Sequence, residues 1–86
     1  MVYTYVLRSA KDRKLCTGFT RNLRKRFKEH LQGKVESTKG RGPLDLIYYE
    51  ACMNVNDAIE RETYLKTGMG KRFLKNRLKR FLSLTG

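Results

Sequence analysis

Glu62 stands at the spacing of a buried helical stripe: Ala58, Glu62, Leu65 and Met69 fall at i, i+4, i+7 and i+11, with Ile59 alongside. A carboxylate facing a core is costly unless it is paired or ligates a metal, and the chain has only 8 acidic residues. Three readings are open: a Mg²⁺ ligand, half of a buried Glu–Arg pair, or a residue at the stripe's edge. The only histidine, His30, lies four residues after Arg26, so the two share one helical face. An arginine there can neutralise charge developing on a phosphate, and a histidine or tyrosine can move the proton. His30 can equally be a surface or packing residue; its titration near neutrality is what singles it out.

Tyr5 alternates with Tyr3 in one β-like run, and Gly18 with Cys16 in the next. If those faces coincide, Tyr5 and Cys16 are neighbours on a sheet, and the phenol can take a proton from a polarised water or simply fill the core. Gly18 would let a phosphate or ribose approach the backbone. Cys16 has no evident basic partner beyond the distant His30, so it reads as a small buried thiol and not as a nucleophile.

The partner is indicated by charge. Lys+Arg number 20, for a formal net charge of +12, which on so small a body suits a polyanion such as DNA or RNA. Arg21, Arg24, Lys25, Arg26 and Lys28 crowd one segment, and Lys71, Arg72, Lys75, Arg77, Lys79 and Arg80 another, interleaved with Phe73, Leu74, Leu78, Phe81 and Leu82. That second segment can track a nucleic-acid backbone, lie on a membrane or solvate the domain. Phosphate contact suits the rest of the chain best, and Arg24, Lys25, Lys39, Arg41, Lys66, Lys71 and Arg72 are the candidate contacts.

A membrane is the weaker partner, since no apolar run reaches the roughly 18–20 residues needed to span one, and the N-terminus does not read as a signal peptide. Cys16 and Cys52 make no disulfide framework, and with one histidine a structural zinc site is not expected. A reducing cytoplasmic setting fits.

The elements that must position these residues follow from periodicity. Val2 to Leu7 reads as a strand apolar on both faces, hence covered on both sides. A polar turn at Ala10–Arg13 and a strand from Leu15 to Thr20 complete a hairpin. A helix capped by Thr20 or Asn22 buries Leu23, Phe27 and Leu31 and stops at Gly33. A polar loop from Lys34 to Gly42 ends at Pro43, and a third strand runs from Leu44 to Met53. A helix capped by Asn54 or Asn56 continues to about Lys66, Gly68 and Gly70 break it, and a basic helix spans about Lys71 to Leu82. The expected architecture is a single α+β domain over 1–86, in the order β-β-α-β-α-α. At 86 residues such a chain buries only about 60–65% of its unfolded surface, so any active site must share the surface that holds the substrate.

Taken together, Tyr3-Thr4-Tyr5-Val6-Leu7-Arg8-Ser9, Leu15-Cys16-Thr17-Gly18-Phe19-Thr20, Asn22-Leu23, Arg26 through His30, Ser37 through Pro43, Leu46 through Glu50 and Ala58 through Lys66 resemble, in order, a small stand-alone GIY-YIG nuclease domain. The resemblance implies a three-stranded antiparallel sheet flanked by helices. It also implies hydrolysis of DNA phosphodiesters with one divalent ion, Mg²⁺ or Mn²⁺. It places Tyr5 at the tyrosine of the first motif, Gly18 at the glycine of the second, Arg26 at the phosphate-stabilising arginine, His30 at a proton-transfer position and Glu62 at the metal-binding glutamate. Two departures stand out: the first motif lacks its leading glycine, and Cys16 replaces the second tyrosine. A lost acid–base group costs about 10²–10⁴-fold in rate.

The expected function is therefore a metal-dependent DNA endonuclease, selective for DNA structure more than sequence, with a role in DNA repair among those open to it. The alternative is a DNA- or RNA-binding module whose site Cys16 has weakened. Either structure-selective action or a partner protein would supply targeting.

Overall fold

The computed structural model describes residues 1–85. Strand β1 (Val2–Ser9) lies in the middle of a three-stranded sheet of order β2-β1-β3, with β2 (Leu15–Thr20) and β3 (Leu44–Cys52) each antiparallel to it. Its central place answers its sequence: a strand apolar on both faces needs cover above and below, and β1 is buried along nearly its whole length. The expected α+β order holds.

The two faces carry separate cores. Tyr5, Leu7 and Leu44 pack with Cys16, Leu46 and, from helix α1 (Leu23–Leu31), Leu23 and Phe27. Val6 packs on the other face with Leu65 of α2 (Val55–Leu65) and Leu74 of α3 (Gly68–Arg77). Thr4 fastens α2 to β1 by donating to the Ala58 carbonyl at 3.1 Å.

Asn22 caps α1 by accepting from the Lys25 amide at 3.1 Å, and Asn54 caps α2 by accepting from Asn56 at 2.8 Å. Leu31 does not join the core; it is 56% exposed on the last turn of α1, where the position facing the sheet is taken by His30. The stripe drawn through α2 also needs correction. Ala58 and Leu65 are buried, but Ile59 is 39% and Met69 67% exposed. Met69 lies beyond the end of α2, in a helix with a different axis, so an eleven-residue spacing no longer defines one face.

Gly68 and Gly70 do not merely break a helix; they open α3, with Thr67 as its cap accepting from Gly70 N at 3.1 Å. Gly70 sits against the end of α2, where a Cβ would overlap the Tyr64 carbonyl and approach Leu65 Cα at 2.5 Å. The expected basic helix is two pieces, α3 and α4 (Lys79–Thr85), divided at Leu78. No helix is long and apolar enough to cross a membrane among the described residues.

The candidate active site on the sheet and helix α1

Pairing of β1 with β2 sets Tyr5 opposite Gly18 and Leu7 opposite Cys16, so the Tyr5 and Cys16 faces do coincide. The phenol leans across Gly18, and a Cβ there would lie 2.5 Å from the Tyr5 hydroxyl. Gly18 thus makes room for the tyrosine itself. The space expected to admit a phosphate is filled by this ring.

One turn of α1 brings His30 over the same point. Tyr5 Oη and His30 Nε2 are 2.9 Å apart, and His30 Nδ1 is 2.7 Å from Thr38 Oγ1. Thr38 sits in a short 3₁₀ turn (Glu36–Thr38) inside the expected polar loop, and its hydroxyl donates to the Val35 carbonyl at 3.4 Å. With that proton committed, Oγ1 accepts from Nδ1–H, Nε2 is left as acceptor, and Tyr5 donates to it; the network assigns this tautomer. All three side chains are buried. Thr38 is a neighbour that sequence reasoning did not single out. It lay within the run of the resemblance from Ser37 through Pro43, eight residues after the histidine, in a loop whose fold no periodicity reveals.

Charge around this chain of hydrogen bonds is asymmetric. Burial raises the Tyr5 pKa above its ordinary value of 10.0, opposed by the adjacent Arg26 guanidinium and reinforced by Cys16 and Glu62. The phenol therefore holds its proton at neutral pH. Burial also lowers the His30 pKa below its ordinary 6.5, and Arg26 lowers it further, against a smaller opposing pull from Glu29. His30 is thus neutral and able to accept. Arg26 touches Tyr5 on one side and pairs with Glu29 at 3.3 Å on the other.

Because folding depresses the His30 pKa, the unfolded chain binds its proton first as pH falls. The folded state keeps this contribution above about pH 6.5 and loses it as pH drops from there through the lower folded value. Urea unfolding from about pH 8 to about pH 5 is expected to show a steeper acid loss in the parent than in His30→Gln. Parallel curves would mean that His30 is not held neutral by the fold.

Glu62 lies at the edge of α2's buried stripe and not within it, its side chain 18% exposed and its Oε2 accepting from Lys66 Nζ at 3.0 Å. A Glu–Arg pair does exist on this helix, but Glu50 makes it. Arg61 Nε donates to both Glu50 oxygens at 2.9 and 3.0 Å, and Arg61 Nη2 donates to Oε2 at 2.9 Å. The guanidinium also stacks 5.1 Å from Tyr64 and 4.6 Å from Phe73. That clamp holds α2 on the sheet, and the charge of the next residue, Glu62, is the weakest of the influences felt at Tyr5.

Of the expected phosphate contacts, Arg41, Lys66 and Lys71 surround a concavity of about 260 Å³ together with Cys16 and Thr17. Arg24 and Lys25 are exposed on α1, Lys39 is exposed in the loop, and Arg72 lines a different hollow with Tyr64 and Met69. The structure therefore gathers Tyr5, Arg26, His30 and Glu62 with Cys16 and Gly18, and gathers only part of the basic set beside them.

Residues 1–79 match the model of the GIY-YIG catalytic domain. The chain is 46% identical over 67 residues to a UPF0213 protein of Clostridium perfringens, covering 77% of this chain and 71% of that one. It is 39% identical over 84 residues to a UPF0213 protein of Pediococcus pentosaceus, covering 96% and 87%. The solution NMR structure of the UPF0213 protein BH0048 from Bacillus halodurans matches with TM-score 0.54 and 32% identity, over 88% of this chain and 84% of that one. On the order of its motifs and on the extent of these matches, the chain belongs to the GIY-YIG catalytic-domain family.

Proposed function

We propose that this chain is a metal-dependent endonuclease that hydrolyses DNA phosphodiesters and selects for DNA structure over sequence. The observation that carries the reading is the buried Tyr5–His30–Thr38 hydrogen-bond chain, with Arg26 and Glu62 beside its phenol end. Membership of the family supports nuclease chemistry and a nucleic-acid substrate.

Glu62 suits a hard divalent ion. It is a carboxylate, and its Oε1 carries no hydrogen bond among the described residues. No group of three or more His, Cys, Asp and Glu gathers there among those residues, so the protein would supply one ligand, and water and phosphate oxygens the rest, as Mg²⁺ accepts. When bound, Mg²⁺ or Mn²⁺ polarises the scissile phosphate and eases departure of the leaving oxygen. Lys66 holds only the other oxygen, Oε2, and a phosphate gives its ammonium somewhere to go.

The chain's own residues do the remainder. A water attacking phosphorus gives its proton to Tyr5 Oη as Tyr5 passes its own to His30 Nε2, while Thr38 fixes the ring through Nδ1. Tyr5 therefore relays a proton without ever having to exist as free phenolate. Arg26 neutralises the charge gathering on the phosphate oxygens. Arg41, Lys66, Lys71 and the exposed cations of α1 and α3 hold backbone phosphates without reading bases.

The test is cleavage of labelled single-stranded, duplex, flap and four-way-junction DNA in Mg²⁺, in Mn²⁺ and in EDTA. Metal-dependent cutting that favours one branched or single-stranded form is expected; no cutting in either metal would sink the reading.

A second reading, a DNA- or RNA-binding module with a weakened site, is favoured by the thiol of Cys16 where the family carries a phenol. Cys16 lines the basic concavity, so a larger side chain has space there. Under the nuclease reading, Cys16→Tyr is expected to raise cleavage about tenfold or more. Unchanged activity would show that no phenol is missing at this position. Competition between DNA and RNA at fixed salt separates the two polymers.

A further inference from the structure

On the other flank of α1 the sheet edge carries a groove that the proposed chemistry does not use. Its volume is about 460 Å³, within the range of small-ligand pockets. Tyr3, Tyr49, Phe27 and Leu46 give it an aromatic and apolar lining, and Arg21 and Arg24 stand at it with no acidic residue among the lining side chains. Tyr49 is 54% exposed although it sits in a strand, with its ring edge-on to Tyr3 at a centroid separation of 6.1 Å. An exposed tyrosine that lines a groove with two arginines is only partly spent on packing. It suits a ligand that is planar, apolar on its faces and joined to negative charge.

We infer that this groove is a nucleobase-binding site, in which Tyr49 and Tyr3 stack an unpaired base of the DNA substrate while Arg21 and Arg24 hold its flanking phosphates. Aromatic stacking with adjacent cations is the general chemistry of single-strand binding, and the net charge of +12 supplies the field that draws a polyanion. The inference rests on the nuclease reading for its substrate, and the fold ties the two places together. Tyr49 is the cross-strand partner of Tyr5 on β3. Helix α1 presents Arg26 to the Tyr5 site and, two residues away and so on its opposite flank, Arg24 to the groove. A strand passing round the amino end of α1, by Arg21, crosses one helix width, roughly 10–12 Å, between scissile phosphate and stacked base. Such a site reads unpaired against paired DNA without reading sequence, because every base has a π-face and bases inside a duplex are already stacked.

The test measures binding in EDTA, where no cutting complicates it, with a labelled single-stranded oligodeoxynucleotide, the same length carrying abasic sites, and blunt duplex. Tyr49→Ala is expected to weaken single-strand binding about tenfold, to leave duplex and abasic binding unchanged, and to be rescued by Tyr49→Phe, which also checks folding. Arg24→Ala is expected to weaken all three ligands alike. The chain has no tryptophan, so Tyr49→Trp supplies a single indole whose emission is expected to be quenched by the base-bearing strand and not by the abasic one. Equal binding of single strand by Tyr49→Ala and parent, or equal quenching by both strands, would overturn the site. Stacking found without cutting in Mg²⁺ or Mn²⁺ would uphold the groove and remove the nuclease reading; cutting with no effect of Tyr49→Ala would do the reverse.

Discussion

Glu62→Ala is expected to lower DNA cleavage by about 10³-fold or more while leaving DNA affinity in EDTA equal or slightly tighter. The size follows from the site's composition. Among the described residues no group of three or more His, Cys, Asp and Glu could take over as ligand, so under the proposed function removing this carboxylate would remove the protein's hold on the ion. The direction for binding follows from charge, because the substitution takes a negative group from a surface of net +12 and frees Lys66 for phosphate. Folding should be little affected, since Glu62 lies at the stripe's edge and its one partner is an exposed lysine, a pair of the kind worth about 0–1 kcal/mol. Cleavage assays and fluorescence anisotropy on one protein preparation separate the two effects. Undiminished cutting by the variant would remove Glu62 from the metal site.

Gly70→Ala is expected to destabilise the fold by roughly 3 kcal/mol or more, a large share of the roughly 5–15 kcal/mol that holds a small domain together. The added methyl would meet the Tyr64 carbonyl and Leu65 Cα. Both are backbone atoms at the end of α2 and cannot rotate aside, so α3 must lift from α2 and uncover Leu65 and Leu74, both buried. Gly68→Ala is the control two residues earlier. A Cβ there meets nothing within 4 Å, and helix propensity favours alanine, so a change within about 0.5 kcal/mol is expected. Urea midpoints decide it: equal midpoints for the two variants would show that α3 does not press on α2 at Gly70.

The elements of this protein were legible because their signals are local. Two-sided apolarity marked β1 as the covered strand, each cap was narrowed to two neighbouring residues of which Asn22 and Asn54 serve, and the β-β-α-β-α-α order followed. Tyr5, Arg26 and His30 were legible as well, since a period of two and a separation of four place side chains on known faces. What sequence could not supply was the meeting of elements. Glu62 was chosen through a stripe whose outer members, Ile59 and Met69, are exposed; it lies at that stripe's edge, where its charge is felt at Tyr5. The Glu–Arg pair weighed for Glu62 belongs to Glu50 and Arg61, eleven residues apart and on a strand and a helix. Thr38 was invisible for a related reason, because its partner is set by a loop that folds back under α1. Gly18 looked like an opening, and only strand register reveals that Tyr5 occupies it.

The strand order β2-β1-β3 has a consequence for a chain emerging from the ribosome. The first strand made becomes the middle one, and until Leu44–Cys52 is synthesised one of its edges has no neighbour. Strand β2 and helix α1 can assemble early on nearby contacts, bringing Tyr5 to His30. The carboxylate of α2 and its Arg61–Glu50 fastening come only after the long-range pairing closes. Under the proposed function, a nascent chain would therefore carry its affinity for polyanions well before the groups assigned to cutting are assembled. Late closure of the sheet would then double as a safety catch, since copies still lacking β3 could hold nucleic acid without the groups assigned to cutting it.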